Sequence, residues 1–135
     1  MGLLIDTSVI VEIERREDSL NEFLERLQGE DTAISSITAS ELLVGVSRGA
    51  PEERRASREA FVEYVLERVA VLPVDLSVAR THARLWVQLS ASGMLIGPHD
   101  VLIAATALTH DFAIMTNNIR HFTRVPGLEV RQPSW

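Results

Sequence analysis

The sequence predicts an α/β fold, one three-layer α/β/α domain with a central parallel sheet, and three observations point there. Short apolar runs of strand length alternate with segments whose apolar residues recur at helical spacing. The chain has 135 residues, which suits one domain over positions 1–135 and buries about two-thirds of the surface its unfolded form exposes. No internal repeat, low-complexity tract or interdomain linker interrupts the alternation.

Gly2 to Ile5 is the first apolar run, and it ends in Asp6-Thr7-Ser8. Val9, Ile10 and Ile13 behind it fit a helix entered directly from the strand. Leu20, Phe23, Leu24 and Leu27 recur at i, i+3, i+4 and i+7, the stripe of an amphipathic helix that Gly29 closes. Thr32 to Ser36 reads as a second, buried strand, followed by a helix from Thr38 to Val46 that ends near Gly49. Pro51 occupies a favoured first-turn position for a long helix to about Arg68, with Ala56, Ala60, Phe61, Tyr64 and Val65 along it.

Val69 to Val74 supplies the third strand. Ala79, Ala83, Trp86, Val87 and Ser90 trace one face of the next helix, which stops around Gly93, and the loop MLIGPH follows. From Pro98 to His110 the helix carries VLIAATAL, apolar on nearly every side, which predicts burial against the sheet and against a neighbouring layer or subunit. Ala113 to Thr116 is the fourth strand; the tail turns at Pro126-Gly127, and Leu128 to Arg131 adds an edge strand. Strands that alternate with helices in this way belong to a parallel sheet covered on both faces.

Composition removes several functions before any motif is sought. Apolar residues make up 46% of the chain, with no run near the roughly 18 needed to span a membrane. The N-terminus has no basic stretch ahead of its apolar one and carries acids within it, so it does not read as a secretory signal, and the cytoplasm is the expected compartment. Cysteine is absent, which excludes disulfides, thiolate zinc sites and a cysteine nucleophile. All 13 basic residues are arginines, so Schiff-base chemistry and lysine-dependent phosphate loops are excluded as well. The net charge of -6 argues against bulk attraction to nucleic acid; a role there needs local basic patches or bridging metal ions.

In an open parallel sheet, ligands bind beyond the carboxyl ends of the strands. Asp6 and Thr116-Asn117-Asn118 lie at such ends, and Glu41 and Asp100 lie in the first turns of helices that follow strands. These separated positions can converge on one pocket, where carboxylates repel one another unless a cation sits between them. Oxygen ligands without cysteine point to Mg2+ or Mn2+. Each position also has a plainer reading. Asp6 suits a turn or helix cap, and Glu41 lies three residues after Thr38, the spacing of a capping box. Asp100 suits a helix N-terminus, and Asn118 an ordinary turn. The four histidines show no HxxxH or HExxH spacing, and the run Arg48, Arg54, Arg55, Arg58 is interleaved with Glu52, Glu53 and Glu59 as on a solvated helix face.

Four segments carry a resemblance. LLIDTSVI, SSITASELLVGV, IGPHDVLIAATAL and IMTNNIRHFTRVPGLEV occur in an order and spacing that resemble the PIN-domain ribonucleases of the VapC type, over nearly the whole chain. The resemblance implies a PIN-like fold, Mg2+- or Mn2+-dependent cleavage of RNA, a cognate VapB-type antitoxin and a homodimer. By position it implies catalytic roles for Asp6, Glu41 and Asp100, with metal held by Asp6 and Asp100. It implies supporting roles for Thr7, Ser8, Thr116 and Asn118, the last where many members carry a fourth aspartate. Arg120, His121, Arg124 and Arg131 bring positive charge near the C-terminal edge, and the first three are candidate RNA contacts. A haloacid-dehalogenase-like phosphatase or a receiver domain would need a lysine that this chain lacks. The remaining alternative is a PIN-fold binding module without catalysis, which the neutral Asn118 motivates.

Overall fold

The structure, a computed structural model, describes residues 2–48 and 51–135. Five strands form one sheet in the order β3-β2-β1-β4-β5: β1 (Gly2–Ile5), β2 (Asp31–Ser35), β3 (Ala70–Leu72), β4 (Phe112–Met115) and β5 (Val130–Arg131). Every neighbouring pair is parallel. Helices α1 (Thr7–Arg15), α2 (Leu20–Glu25), α3 (Ser36–Arg48) and α4 (Glu52–Arg68) follow the first two strands, α5 (Leu76–Ala91) and α6 (Pro98–Thr109) follow β3, and α7 (Ile119–Phe122) follows β4. The expected three-layer α/β/α architecture is the one observed.

The pleat of β1 sorts the core into two halves. Leu3 and Ile5 face a cluster with Val9, Ile10 and Ile13 of α1, Phe23 of α2, Leu42 of α3 and Val62 and Val65 of α4. Leu4 faces the other way, into Val78, Leu85 and Leu89 of α5, Val101, Ile103 and Ala104 of α6, and Phe122 of α7. Burial on both faces is why the strands read as continuous apolar runs. Gly2 is held to glycine by contact, since a Cβ there would collide with the ring of Phe112 on the adjacent strand.

Several boundaries and one helix face differ from expectation. The second strand stops at Ser35 and α3 begins at once with Ser36, two residues before Thr38, because the Ser35 hydroxyl accepts the Ile37 backbone N–H at 2.9 Å and starts the helix there. Gly49, the expected end of this helix, lies outside the described residues. The third strand keeps only Ala70–Leu72 of the expected 69–74, and the last keeps only Val130–Arg131.

On α5 the buried seam is Val78, Leu85 and Leu89, whereas Ala79, Ala83, Val87 and Ser90 are exposed and Trp86 is half-buried. Both faces of α5 are apolar in part, and the face with the larger aliphatic side chains removes more area from water. The apolarity of α6 needs no second subunit: Val101, Ile103, Ala104, Ala105 and Ala107 are fully buried within the chain, against the sheet and the α5 seam.

Candidate active site

The chain moves outward in both directions from β1, whose neighbours β2 and β4 lie on opposite sides, so the carboxyl ends of β1 and β4 flank the switch point of the sheet. Asp6 leaves β1 there and Thr116 leaves β4. The two strands are still paired where they end, since the Asp6 backbone N–H donates to Met115 O at 2.9 Å. Asp6 precedes α1 but its side chain caps nothing. Instead Oδ2 accepts the hydroxyls of Ser8 at 2.7 Å and Thr116 at 2.8 Å. Each hydroxyl is oriented in turn: Ser8 Oγ accepts the Asn117 N–H at 3.1 Å, and Thr116 Oγ1 accepts the Asn118 N–H at 2.9 Å. These relays give the carboxyl, 2% exposed, its hydrogen-bond partners, and they load one oxygen, Oδ2, so that Oδ1 accepts none of them.

Glu41 enters from α3, and the observed helix start removes the capping-box reading. Thr38 lies inside the helix, fully buried, and Glu41 does not bond back to its backbone. Thr7 Oγ1 lies 2.6 Å from Glu41 Oε1 and 3.0 Å from Thr38 Oγ1. A hydroxyl has one proton, and the short contact to an ionised carboxylate takes it, which leaves Thr38 to donate to Thr7. On its outer side Glu41 Oε2 meets His99 Nδ1 at 3.3 Å.

Asp100 stands in the first turn of α6, with Pro98 at the helix start and Gly97 before it. Its Oδ2 is 3.4 Å from Nδ1 of His121 on α7. Burial pushes the Asp100 carboxyl above its ordinary pKa, and the negative charge of Asp6 pushes in the same direction. The neighbouring His121 opposes both, and Glu41 adds a smaller upward push. The three carboxylates therefore share one electrostatic site. A shallow depression lined by Gly97, Pro98, His99 and Asp100 opens it to solvent.

The donor chemistry fits a hard divalent cation: carboxylate oxygens, hydroxyl support, no sulfur, and like charges beside Asp100 that raise its proton affinity. Among the described residues, however, no group of three or more His, Asp or Glu side chains has the spacing to hold a metal ion as it stands. Each carboxylate is turned to its own partner, Asp6 to two hydroxyls, Glu41 to Thr7 and His99, and Asp100 toward His121.

Of the other residues singled out, Thr7, Ser8 and Thr116 sit within the site. Asn118 takes part only through its backbone; its side chain caps nothing. Arg120 is exposed on α7, while Arg124 donates to Leu95 O at 3.1 Å and braces the loop ahead of α6. Arg131 adds no local positive charge, because it is bound to Glu129 at 2.6 Å and to Glu30 at 2.9 Å. Thr38 and the pairing of His99 and His121 with the acids were missed. No spacing in the sequence marks these contacts, which join residues from 21 to 58 positions apart, on α6 and α7, on α3 and α6, and on α1 and α3.

The PIN-domain family model matches residues 3–128. The ribonuclease VapC1 of Rickettsia felis is 42% identical over 130 residues, which are 96% of this chain and 95% of that protein. The tRNA(fMet)-specific endonuclease VapC of Salmonella typhimurium is 31% identical, over 96% of each chain. Among solved structures, that of VapBC2 from Rickettsia felis bound to a promoter DNA fragment superposes with a TM-score of 0.85 at 30% identity, covering 98% of both chains.

Proposed function

This chain belongs to the PIN-domain family, and from that premise we propose that it is a Mg2+- or Mn2+-dependent endoribonuclease acting as the toxin of a toxin–antitoxin pair. It is a nuclease, a hydrolase of phosphodiester bonds, by its likeness to the VapC enzymes. The observation that carries the finer reading is the convergence of Asp6, Glu41 and Asp100 at the switch point of the sheet.

Asp6 and Asp100, with Glu41 beside them, would hold a divalent cation, which when bound would supply counter-charge to a scissile phosphate and lower the pKa of a bound water. The remaining roles belong to the chain. Asp6 is the fixed member, its Oδ2 clamped by Ser8 and Thr116 so that Oδ1 is presented in one orientation. Asp100 or Asp6 is placed to orient the attacking water as base. Glu41 is positioned by Thr7 and completes the charge of the site. The exposed Arg120 grips the RNA backbone, with His121 and Arg124 beside it. With an RNA substrate, the cytoplasm is where the enzyme acts; no described helix is long and apolar enough to cross a membrane.

The partner is a VapB-type antitoxin, the kind of complex that the VapBC relatives form. A small pocket lined by Val11, Leu42, Phe61 and Val62, with Glu14 and Arg58 at its edge, includes Glu41. An apolar antitoxin segment laid along it directs an arginine toward Asp6 and Asp100. The enzyme is a homodimer, for which the exposed Leu76 and Val87 of α5 offer apolar area.

Incubation with RNA and with DNA of the same sequence, with Mg2+ or Mn2+ and with EDTA, tests this reading. RNA alone is cut, and the chelator stops it. Equal cleavage with and without EDTA overturns the metal reading. RNA binding without cleavage at any metal concentration selects the non-catalytic binding module instead.

A further inference from the structure

A cavity outside the carboxylate site lies between the end of α1 and the first turns of α4. It measures about 520 Å3, within the roughly 300–1,000 Å3 of ligand-binding clefts. Arg15, Arg54, Ser57 and Arg58 bring donors to its lining, and Glu14 and Glu17 bring acceptors. The arginines of α4 that read in sequence as a solvated face are sorted by the fold: Arg54 and Arg58, four apart, share the face toward α1, and Arg55 does not line the cavity. Arg58 is held by Glu14 of α1 at 3.3 Å and by Gly45 O of α3 at 3.4 Å. Arg15 meets Glu12 at 3.4 Å with its side chain 74% exposed, and among the described residues Arg54 pairs with no acid.

Two features connect this cavity to the reaction. Glu14 and Arg58 also line the small pocket that includes Glu41, so the cavity continues the surface that leads away from the carboxylate site. Glu17 follows α1 in the left-handed region, at φ 57°, in a Schellman arrangement in which the Asp18 N–H donates to Ile13 O at 3.1 Å and the Glu17 N–H to Glu14 O at 3.0 Å. Glycine is the usual residue at that position, because a side chain there costs stability. This chain carries a carboxylate instead, in the lining of the cavity.

We propose that this cavity is a subsite for the RNA strand beside the scissile bond, in which Arg54, Arg58 and Arg15 hold phosphate oxygens and Glu17 accepts a ribose 2′-hydroxyl. The inference rests on the RNA-cleaving reading above and is independent of the metal. Guanidinium forks match the oxygens of a phosphate. A carboxylate repels phosphate, but it accepts a hydrogen bond from the 2′-hydroxyl, which DNA lacks. Three cations mixed with two acids therefore suit RNA better than DNA, and better than an apolar protein segment. Arg58, held on two sides, is a fixed donor, whereas Arg54 and the loosely paired Arg15 can turn to the backbone.

Fluorescence anisotropy with the full chain in EDTA reads the binding of single-stranded RNA of about 12 nucleotides and of DNA of the same sequence. Arg54→Gln weakens RNA binding about fivefold to tenfold, and the slope of log affinity against log salt falls by about 0.7, the share of one phosphate. Arg55→Gln, outside the cavity, stays near the parent in both. Glu17→Gly narrows the preference for RNA over DNA and melts at or above the parent temperature; loss of a merely structural residue would lower the melt and leave that ratio alone. RNA binding by Arg54→Gln at the parent's strength overturns the inference, and so does an equal loss in Arg54→Gln and Arg55→Gln, which marks bulk attraction. Binding of a polyglutamate peptide in place of RNA, with the same dependence on Arg54, overturns it in favour of an acidic protein segment. A parent that binds no RNA overturns the RNA reading and this inference together. RNA cut in EDTA overturns the metal reading alone, and the ranking of the variants still decides the subsite.

Discussion

The inner and outer halves of the carboxylate site are held by different means. Asp6 is buried, and its oxygen is clamped by two hydroxyls that are themselves oriented by backbone N–H groups. Glu41 and Asp100 are partly exposed, and each has an imidazole from α6 or α7 on its solvent side. Hydroxyl clamps anchored on backbone fix a geometry before any ligand arrives. Exposed imidazole contacts at 3.3 and 3.4 Å contribute little to stability and leave the acids able to turn. The difference teaches that the site is preorganised at the sheet and adaptable at the rim, where it opens to solvent.

The largest effect that can break this comparison is at its centre. Asp6→Asn keeps an oxygen for Ser8 and Thr116 but removes the fixed charge. RNA cleavage should drop at least about a hundredfold, because several kcal/mol of charge stabilisation depend on the metal site. Rates measured beside circular dichroism melts check this, and a variant of normal rate would move the centre of the site away from Asp6.

Thr116→Val tests the clamp itself. It strips one donor from a buried carboxylate and one acceptor from the Asn118 N–H, so it should cost about 1–3 kcal/mol in chemical denaturation. Cleavage should fall about tenfold or more through loss of orientation. Intact stability with intact rate would show that Ser8 alone holds Asp6.

At the rim, Glu41→Gln keeps an acceptor for Thr7 while removing a charge. Activity should fall, whereas metal-free stability should equal or exceed that of the parent, because repulsion is relieved. Added Mg2+ should raise the melting temperature of the parent more than that of the variant. An active variant with the parent's response to Mg2+ would take Glu41 out of the site.

The smallest expected effect is the pH dependence of metal-free stability at Asp100. The folded protein holds the Asp100 proton more tightly than the unfolded chain, because of burial and Asp6. That preference stabilises the fold below the unfolded pKa of about 3.9 and is lost as pH rises through the raised folded value. Asp100→Asn cannot ionise, so in EDTA it should be more stable than the parent at pH about 7 and gain nothing near pH about 3. Urea melts at both pH values measure the difference, and an equal difference at both would show that ionisation of Asp100 carries no cost.

Much of the site could be read from local pattern. Asp6 follows a four-residue apolar run directly, and Thr116 follows another, so both fall at carboxyl ends of parallel strands. Glu41 was ambiguous because the spacing from Thr38 imitates a capping box. In the fold Ser35 starts α3 and Thr7 holds the Glu41 carboxylate, so Thr38 is no cap. The face of α5 was misread for a related reason: Ala79, Ala83 and Val87 recur as regularly as Val78, Leu85 and Leu89 do, and periodicity does not weigh side-chain size.

By itself, the sequence determined the strand and helix alternation, the parallel sheet, the hard-oxygen character of the site and the exclusion of lysine and thiol chemistry. These depend on residue type and on spacings within one element, where neighbours in the chain are neighbours in space. Only the tertiary structure decided which oxygen of Asp6 is clamped, which hydroxyl holds Glu41, that Arg131 is consumed by Glu30 and Glu129, and that His121 stands beside Asp100. Those contacts join side chains from separate elements at distances of a few ångströms. They are set by how the helices seat on the sheet, which no local periodicity encodes.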